Sequence, residues 1–154
     1  MNVHVENASP HHVTEMLDDI RMLDIKEWYA GTGSTDMEAN LRHVFSEGRF
    51  ARTGFLDGTP VVMWGVDSKD DGRGNVWLFA TDTAAKHAIT LHRILKSEMD
   101  LIASIWPDLE ALSDERNHTH HAWLTWLGFA LEETVFLAPF GLPFKKFRRT
   151  SCVR

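Results

Sequence analysis

The order of secondary-structure patterns predicts an α/β (α+β) protein with a mixed central sheet of about six or seven strands and about four flanking helices. Apolar residues recur at helical spacing in some segments and form strand-like runs in others. Along the chain these segments follow the order β α α β β β α β α β β. A helix that joins two strands near the end requires a crossover, so one strand pair in the sheet is parallel.

The first fifty residues predict one strand and two helices. Val3–Glu6 is strand-like, and Ser9-Pro10 is typical of a helix start, with serine as N-cap and proline at the first helical position. An apolar stripe at spacings of three and four then continues to Leu23. Thr35 and Glu38 form a capping-box pattern that begins a second helix.

The remaining elements follow from a change of period. Asp57-Gly58 between two β-rich runs predicts a hairpin. Thr81-Asp82-Thr83 is expected to cap a long amphipathic helix that Pro107 ends. The predicted strands are 50–56, 61–66, 75–80, 109–113, 129–138 and 144–149, and the predicted helices are 83–105 and 117–128.

Composition bounds the class of protein. The chain has 154 residues, of which 44% are hydrophobic and 25% charged, as in globular domains. Its apolar runs are too short to span ~30 Å of hydrocarbon, so no membrane span is expected. The single cysteine, Cys152, excludes an internal disulfide and fits a reducing cytoplasm. We expect one domain over residues 1–143, followed by a basic C-terminal strand or tail, 144–154.

Charge is unevenly distributed along the chain. The net charge is −6, yet five of the 16 basic residues lie in the last ten positions, which hold no acid. An acidic body argues against general nucleic-acid binding, because duplex binding depends on basic charge. The tail is the only candidate for nucleic acid or another anionic partner, unless it is a solvated end. The candidate partner-binding residues are Lys145, Lys146, Phe147, Arg148 and Arg149.

One stretch carries a family resemblance. Asn117 lies ten residues before Leu127-Gly128-Phe129, which leads into a strand, and this pattern resembles the GNAT (Gcn5-related N-acetyltransferase) proteins. The chain is more specifically similar to GNAT-like proteins of short-tailed bacteriophages and prophages, some of them internal virion proteins. That similarity lies in Asp24-Ile25-Lys26-Glu27, Trp77–Asp82 and Trp123–Phe129. It implies the GNAT fold over most of the chain.

The resemblance also implies where acetyl-CoA would bind. GNAT enzymes hold its pyrophosphate on backbone N–H groups at the start of the long helix, where glycines allow close approach. If acetyl-CoA binds here, the resemblance places it on Thr83, Ala84, Lys86, His87 and Asn117. No glycine occurs from residue 75 to 127, and an acid, Asp82, lies at this helix start, so no cofactor is expected. The alternative role of Asn117 is the N-cap of its helix.

Catalytic groups are equally sparse. Many GNAT enzymes carry a tyrosine four residues before the glycine of Gly-Phe, and Leu124 occupies that position here. The remaining acid–base candidates are Glu133 and His120; Glu132 and Glu133 are expected on opposite strand faces, so at most one would face a cleft. His118 and His121 share a helix face, but no third ligand is evident, so no metal is predicted.

Three functional hypotheses follow. The leading one is a GNAT-fold accessory or structural phage protein without acetyl transfer, which contacts other phage proteins in the host cytoplasm or within the particle. The alternative is an acetyl-CoA-dependent N-acetyltransferase with an atypical cofactor loop. A third is a small-molecule-binding module that uses separated strands as a cleft. Assembly into an oligomer stays open.

Overall fold

A seven-stranded mixed sheet runs through the centre of the protein, for which the computed structural model describes residues 1–151. The strands are β1 (Val3–Asn7), β2 (Phe50–Leu56), β3 (Thr59–Ser68), β4 (Gly74–Ala80), β5 (Asp108–Asp114), β6 (Ala130–Leu137) and β7 (Leu142–Thr150). Their order is β1-β2-β3-β4-β5-β7-β6, and only β4 and β5 pair in parallel. The predicted mixed sheet is therefore confirmed.

Helices cover both faces of the sheet and bury two apolar clusters. They are α1 (Pro10–Met16), α2 (Met22–Thr32), α3 (Met37–Asn40), α4 (Arg42–Ser46), α5 (Asp82–Lys86), α6 (Ala88–Ile105) and α7 (His118–Trp126). One cluster packs α6 and α7 against the sheet around Trp64 and Leu124. The other packs α1, α3 and α4 against the opposite face around Met63 and Phe79.

The N-terminal helical region differs from the sequence prediction. The apolar stripe predicted one helix to Leu23, but α1 ends at Met16, a 3₁₀ turn spans Leu17–Asp19, and α2 starts at Met22. Between them Ile20 forms an antiparallel bridge with Thr81, and the Arg21 N–H donates to the Ala80 carbonyl over 2.9 Å. The helix therefore breaks because this segment pairs with the end of β4.

Two other helices also depart from the prediction. The helix that was predicted to have Thr35 as its cap is α3, and its N-cap is Asp36. The Asp36 carboxylate accepts the Ala39 N–H. The predicted 83–105 helix is interrupted at His87, which separates α5 from α6. Thr81 caps α5 as expected, since its hydroxyl accepts the Ala84 N–H.

The basic C-terminal stretch is part of the sheet. Strand β7 lies between β5 and β6 and pairs with both over most of its length. The strand predicted at 144–149 is thus present, and it lies inside the sheet rather than at its edge. Cys152 and Arg154 lie outside the described residues.

Strands β4 and β5 separate after a short pairing. Their parallel register covers only Gly74–Val76 against Leu109–Ala111. Gly74 allows the close approach at that end, because a Cβ there would lie 2.8 Å from side-chain atoms of both Leu109 and Val66. Beyond this point the two strands diverge, and the resulting cleft opens toward α2 and α7. Within residues 1–151, no helix combines the length and apolarity needed to cross a membrane.

Candidate functional site

The cleft between β4 and β5 is filled by side chains of α2. The Asp24 carboxylate is buried there and accepts three hydrogen bonds, each 2.8 Å long. The donors are the Ala80 N–H at the end of β4, the Asn117 amide and the Arg21 guanidinium. Asp24 therefore satisfies a backbone group of β4 that the separation from β5 would leave unpaired.

Glu27, one turn further along α2, makes the equivalent contacts with β5. Its Oε1 accepts the Ser113 hydroxyl and the Asp114 N–H, both over 2.7 Å. His120 Nδ1 lies 3.1 Å from the other oxygen, Oε2. We call Arg21, Asp24, Glu27, Asn117 and His120 the cleft cluster. It connects β4, β5, α2 and α7 through hydrogen bonds.

Sequence spacing explains how two helices supply this cluster. Asp24 and Glu27 are three residues apart on α2, and Asn117 and His120 are three apart at the start of α7, so each pair faces one side. Asn117 occupies the N-cap position of α7 but makes no side-chain capping bond, which corrects its predicted capping role. Its amide instead donates to Asp24 over 2.8 Å.

Charges in the cleft cluster balance one another. Burial lowers the pKa of His120, but the carboxylates of Glu27 and Asp24 outweigh burial, and the net shift is upward. Burial raises the pKa of Asp24, although His120 and Arg21 oppose it. The Arg21 guanidinium also lies 5.7 Å from the ring centroid of Trp123. The cluster is a hydrogen-bonded unit in which two basic side chains, Arg21 and His120, contact two acidic ones, Asp24 and Glu27.

The backbone N–H groups at the start of α5 also donate to side chains of this chain. Asp19 Oδ2 accepts the Thr83 hydroxyl over 2.6 Å and the Thr83 N–H over 3.3 Å. The next N–H, of Ala84, donates to Thr81 Oγ1 over 3.1 Å. Two of the predicted cofactor residues thus have their N–H groups bonded within the chain, while Lys86 is exposed and His87 lies at the end of α5.

The space beside these groups is narrow. A cavity of ≈ 10 Å³ lies between α5, α6 and α7, lined by residues that include Ala84, Ala88, Trp123 and Leu127. That volume holds about one water molecule. The residues at the start of α5 therefore do not fit the pyrophosphate of coenzyme A in this arrangement, because the Thr83 N–H donates to Asp19 and the Ala84 N–H donates to Thr81.

The two acid–base candidates, His120 and Glu133, lie in different surroundings. His120 is buried in the cleft cluster, whereas Glu133 is exposed on β6 and lies 3.7 Å from Lys146. Glu132 also approaches Lys146, at 3.6 Å, because a β-bulge between Leu131 and Glu133 changes the strand's alternation. The prediction that the two acids face opposite sides is therefore wrong.

The two histidines on one face of α7 contact each other, and one of them also contacts the backbone. The rings of His118 and His121 are 5.5 Å apart, and His121 Nε2 lies 2.9 Å from the Asp114 carbonyl oxygen. Burial lowers the pKa of His121 despite that carbonyl. Across residues 1–151, no group of three or more His, Cys, Asp or Glu side chains has an arrangement suited to a metal ion.

The predicted partner-binding residues of β7 pack in the core or pair with acids of the same domain. Phe147 is buried in the main core, which removes it from any partner surface. The neighbouring cations pair with acids of the chain: Lys145 with Glu115, Lys146 with Glu110, Glu132 and Glu133, Arg148 with Asp108 and Glu132, and Arg149 with Asp100. Exposed apolar side chains lie instead on β6 and its turn, among them Phe136 and Phe140.

Sequence reasoning identified only part of the cleft cluster, with Asn117 and His120 among its candidates. Asp24 and Glu27 entered only through a resemblance, and Arg21 and Asp19 were not singled out. Their signal was present in the sequence, since acids on the inward side of a helix must find partners when buried. Apart from Arg21, which is three residues from Asp24, the partners lie 56 to 93 residues away along the chain, so the pattern alone did not identify them.

Comparison with known proteins relates this chain to others through structure alone. No protein-family model matches the sequence, and no curated protein matches it. Aminoglycoside acetyltransferase AAC(6')-Ib, in complex with ribostamycin and coenzyme A, superposes with a TM-score of 0.72 at 12% identity, over 97% of this chain and 94% of that one. A GNAT-family acetyltransferase from Bacillus cereus gives 0.66 at 15%, over 99% and 100%.

A third similar structure contains acetyl-CoA. An acetyltransferase-like protein from Salmonella typhimurium, with its cofactor acetyl-CoA, gives a TM-score of 0.66 at 11% identity, over 99% of this chain and 95% of that one. The chain has the GNAT fold. At such low identity the likeness establishes the fold and no activity.

Proposed function

We propose that this protein uses the GNAT fold for binding rather than for acetyl transfer. One observation carries the proposal: the chain's own carboxylates occupy the groups that the fold's enzymes offer to acetyl-CoA. Asp19 accepts from the N–H of Thr83 at the start of α5, and Asp24 accepts from the Asn117 amide. An enzyme would have to break these bonds before each cofactor molecule entered.

The phage-type part of the proposal rests on the resemblance described above. Asp24 to Glu27 is one of the motifs that carry the resemblance to GNAT-like phage proteins, and both acids of that motif lie in the cleft cluster. We propose that filling of the cleft is what this motif encodes. The protein would then serve as an accessory or structural component of a phage particle.

Its contacts with other phage proteins would use the β6–β7 hairpin. Strand β6 is the last strand of the sheet, so one of its edges is unpaired. Phe136, Leu131 and Phe140 are 71%, 57% and 49% exposed on this hairpin. Large exposed apolar side chains beside an unpaired strand edge favour a contact with a partner protein.

Calorimetric titration with acetyl-CoA tests the loss of acetyl transfer. We expect no heat of binding for the native protein at millimolar cofactor. Asp19→Ser removes the competing carboxylate and is expected to allow weak binding, whereas Asp18→Ser, at the exposed neighbouring residue, is expected to leave the native result unchanged. A micromolar dissociation constant for the native protein would refute the proposal.

The second candidate is the N-acetyltransferase, which the comparisons favour over the phage role. The neighbours named above are acetyltransferases or resemble them, and two of them contain coenzyme A or acetyl-CoA. In this candidate, residues 19–27 move to admit the cofactor. Release of free thiol from acetyl-CoA in the presence of a panel of primary amines measures it, and turnover above the protein-free rate would establish it.

The particle role has its own test. Quantitative mass spectrometry of purified particles of the encoding phage is expected to find this chain at a fixed copy number relative to the capsid protein. Its absence from particles, together with abundance in the infected cell, would limit the protein to an intracellular role.

A further inference from the structure

The two edge strands of the sheet differ in length and in exposure. The sheet ends at β1 on one side and at β6 on the other, so each of these strands pairs with one neighbour only. Strand β1 has five residues, and its Glu6 carboxylate lies 2.9 Å from the His4 ring. Strand β6 has eight residues, of which six are exposed. A long exposed edge presents a row of backbone N–H and C=O groups with which another strand can pair.

Only the first half of β6 carries the features that prevent such pairing. A bulge lies between Leu131 and Glu133, and Glu132 and Glu133 place two carboxylates there. Bulges, charges and prolines are the usual protection of an edge strand. From Glu133 to Leu137 the register with β7 is regular, and the segment holds no lysine, proline or glycine. We call Glu133–Leu137 the open edge.

We propose that the open edge pairs antiparallel with the open edge of a second copy of this chain, about a two-fold axis at Val135. The inference rests on the proposed function, since it names the partner of the β6–β7 surface. Two seven-stranded sheets would join into one sheet of fourteen strands. Both copies use the same strand, so association closes at a dimer and does not continue into a fibre.

The sequence of the open edge is complementary to itself in this register. With Val135 at the axis, Thr134 of each copy lies opposite Phe136 of the other, and Glu133 lies opposite Leu137. Cross-strand pairs of aromatic and β-branched residues stabilise antiparallel sheets, whereas like charges directly opposite one another destabilise them. An axis at Val135 brings no acid opposite an acid, whereas an axis at Glu133 would set the two copies of Glu133 against each other.

Charge next to the open edge also favours a second copy. Glu133 lies 3.7 Å from the Lys146 amine, and Glu132 lies 3.6 Å from the same amine and 3.7 Å from Arg148. These acids are compensated within each copy, so they neither select a basic partner nor strongly repel an identical chain. The exposed side chain left for the contact is Phe136, which requires an uncharged apolar strand. A second copy supplies one.

Sedimentation velocity from micromolar to millimolar protein tests the pairing. We expect the native chain to form a dimer as its concentration rises. Phe136→Lys removes an aromatic contact and adds a charge on the open edge, so it is expected to weaken dimerisation by about tenfold or more. Leu131→Lys makes the same kind of change in the bulged half of β6. It is the matched control, and we expect it to dimerise as the native chain does.

Disulfide trapping tests the register, in a Cys152→Ser background that removes the single cysteine of the chain. At a two-fold axis, the Cα atoms of the two Val135 residues would lie ~4.5–5.5 Å apart, within the range of a disulfide. We expect Val135→Cys to form a covalent dimer on mild oxidation. Leu131→Cys is expected to stay monomeric, because the two Leu131 positions would lie beyond opposite ends of the paired segment.

Three results would overturn the proposal. They are a native chain that sediments as a monomer at millimolar concentration, a dimer that Phe136→Lys leaves unchanged, and equal trapping of the two cysteine variants. Each of them is distinguishable from failure of the proposed function. A monomer that is still present in purified particles would contact another protein there, and binding of acetyl-CoA is measured by its own titration.

Discussion

The cleft cluster and the ion pairs of β7 contain similar residues in opposite surroundings. In the cleft cluster, Asp24 and Asn117 are at most 1% exposed and each charge has several hydrogen-bond partners. Around β7, the side chains of Arg148 and Asp108 are 37% and 32% exposed. The sequence drew attention to the second group, because five basic residues stand close together there. The structure shows that burial, not the number of charges, determines which group shapes the protein.

The energetic reason lies in solvent. Exposed ion pairs contribute ~0–1 kcal/mol, since water screens them and holding two long side chains costs entropy. Breaking a buried pair leaves a charge without water or partner, at a cost of ~3–5 kcal/mol. The cleft cluster therefore fixes the separation of β4 and β5, while the cations of β7 keep an acidic surface locally neutral.

The largest effect is expected from removing β7 altogether. A chain ending at Leu142 loses the strand between β5 and β6, together with Phe144 and Phe147 of the core. We expect it to be unfolded or insoluble, which circular dichroism and expression yield measure. A truncated chain with a native spectrum would show that β7 is a dispensable tail, as its charge first indicated.

Next in size is the removal of one carboxylate from the cleft cluster. Glu27→Ala leaves the Ser113 hydroxyl, the Asp114 N–H and the His120 ring without their acceptor. We expect the free energy of unfolding to fall by ~3–5 kcal/mol. Urea denaturation measures it, with Glu132→Ala as the surface control. Equal losses in the two variants would mean that the buried and exposed acids are equivalent.

A pH series sharpens the same comparison. The folded-state pKa of His120 lies above its unfolded value of 6.5, so its stabilising contribution is complete below pH 6.5 and is lost as pH rises through the raised folded value. The stability difference between the native protein and His120→Gln should therefore shrink above pH 6.5.

The variant comparison is needed because burial lowers the pKa of His12 and His121, and these histidines act in the opposite direction. His118→Gln, at an exposed neighbour, is the control and should keep the native pH profile. A His120→Gln difference that stays constant from pH 6 to pH 9 would contradict a raised folded-state pKa for His120.

The smallest effect is expected from a single cation of β7. Lys145 contacts Thr134 and Glu115 at the surface. We expect Lys145→Ala to change the free energy of unfolding by less than ~0.5 kcal/mol. Thermal denaturation in low salt and in 0.5 M salt measures it. A loss as large as that of Glu27→Ala would remove the distinction between the two regions.

Much of the fold could be predicted from the sequence, because its strands and helices follow local periodicity. The mixed sheet, the Asp57-Gly58 hairpin and the Thr81 cap are all confirmed. The break before α2 could not be predicted, since Leu17 and Ile20 continue the helical stripe and the cause is a distant pairing with Thr81. The bulge at Glu132 likewise depends on its partner strand.

The candidate site was harder to predict than the fold. The missing glycines and the acidic start of α5 indicated a poor phosphate site. The carboxylate that accepts the Thr83 N–H and hydroxyl, Asp19, could not be predicted because it lies 64 residues from Thr83 in sequence. The cavity that Trp28 and Trp77 line beside α2 could not be predicted, because both tryptophans look like ordinary core residues until β4 and α2 are placed together. Spatial contacts of this kind are not encoded in spacing.

A crystal structure of the protein grown with millimolar coenzyme A tests the central claim most directly. We predict that Asp19 keeps the Thr83 N–H, that Asp24 keeps the Ala80 N–H, and that no density for the cofactor appears between α5 and α7. A diphosphate bound to the N–H groups of Thr83 and Ala84, with Asp19 displaced, would contradict the account and support the N-acetyltransferase candidate.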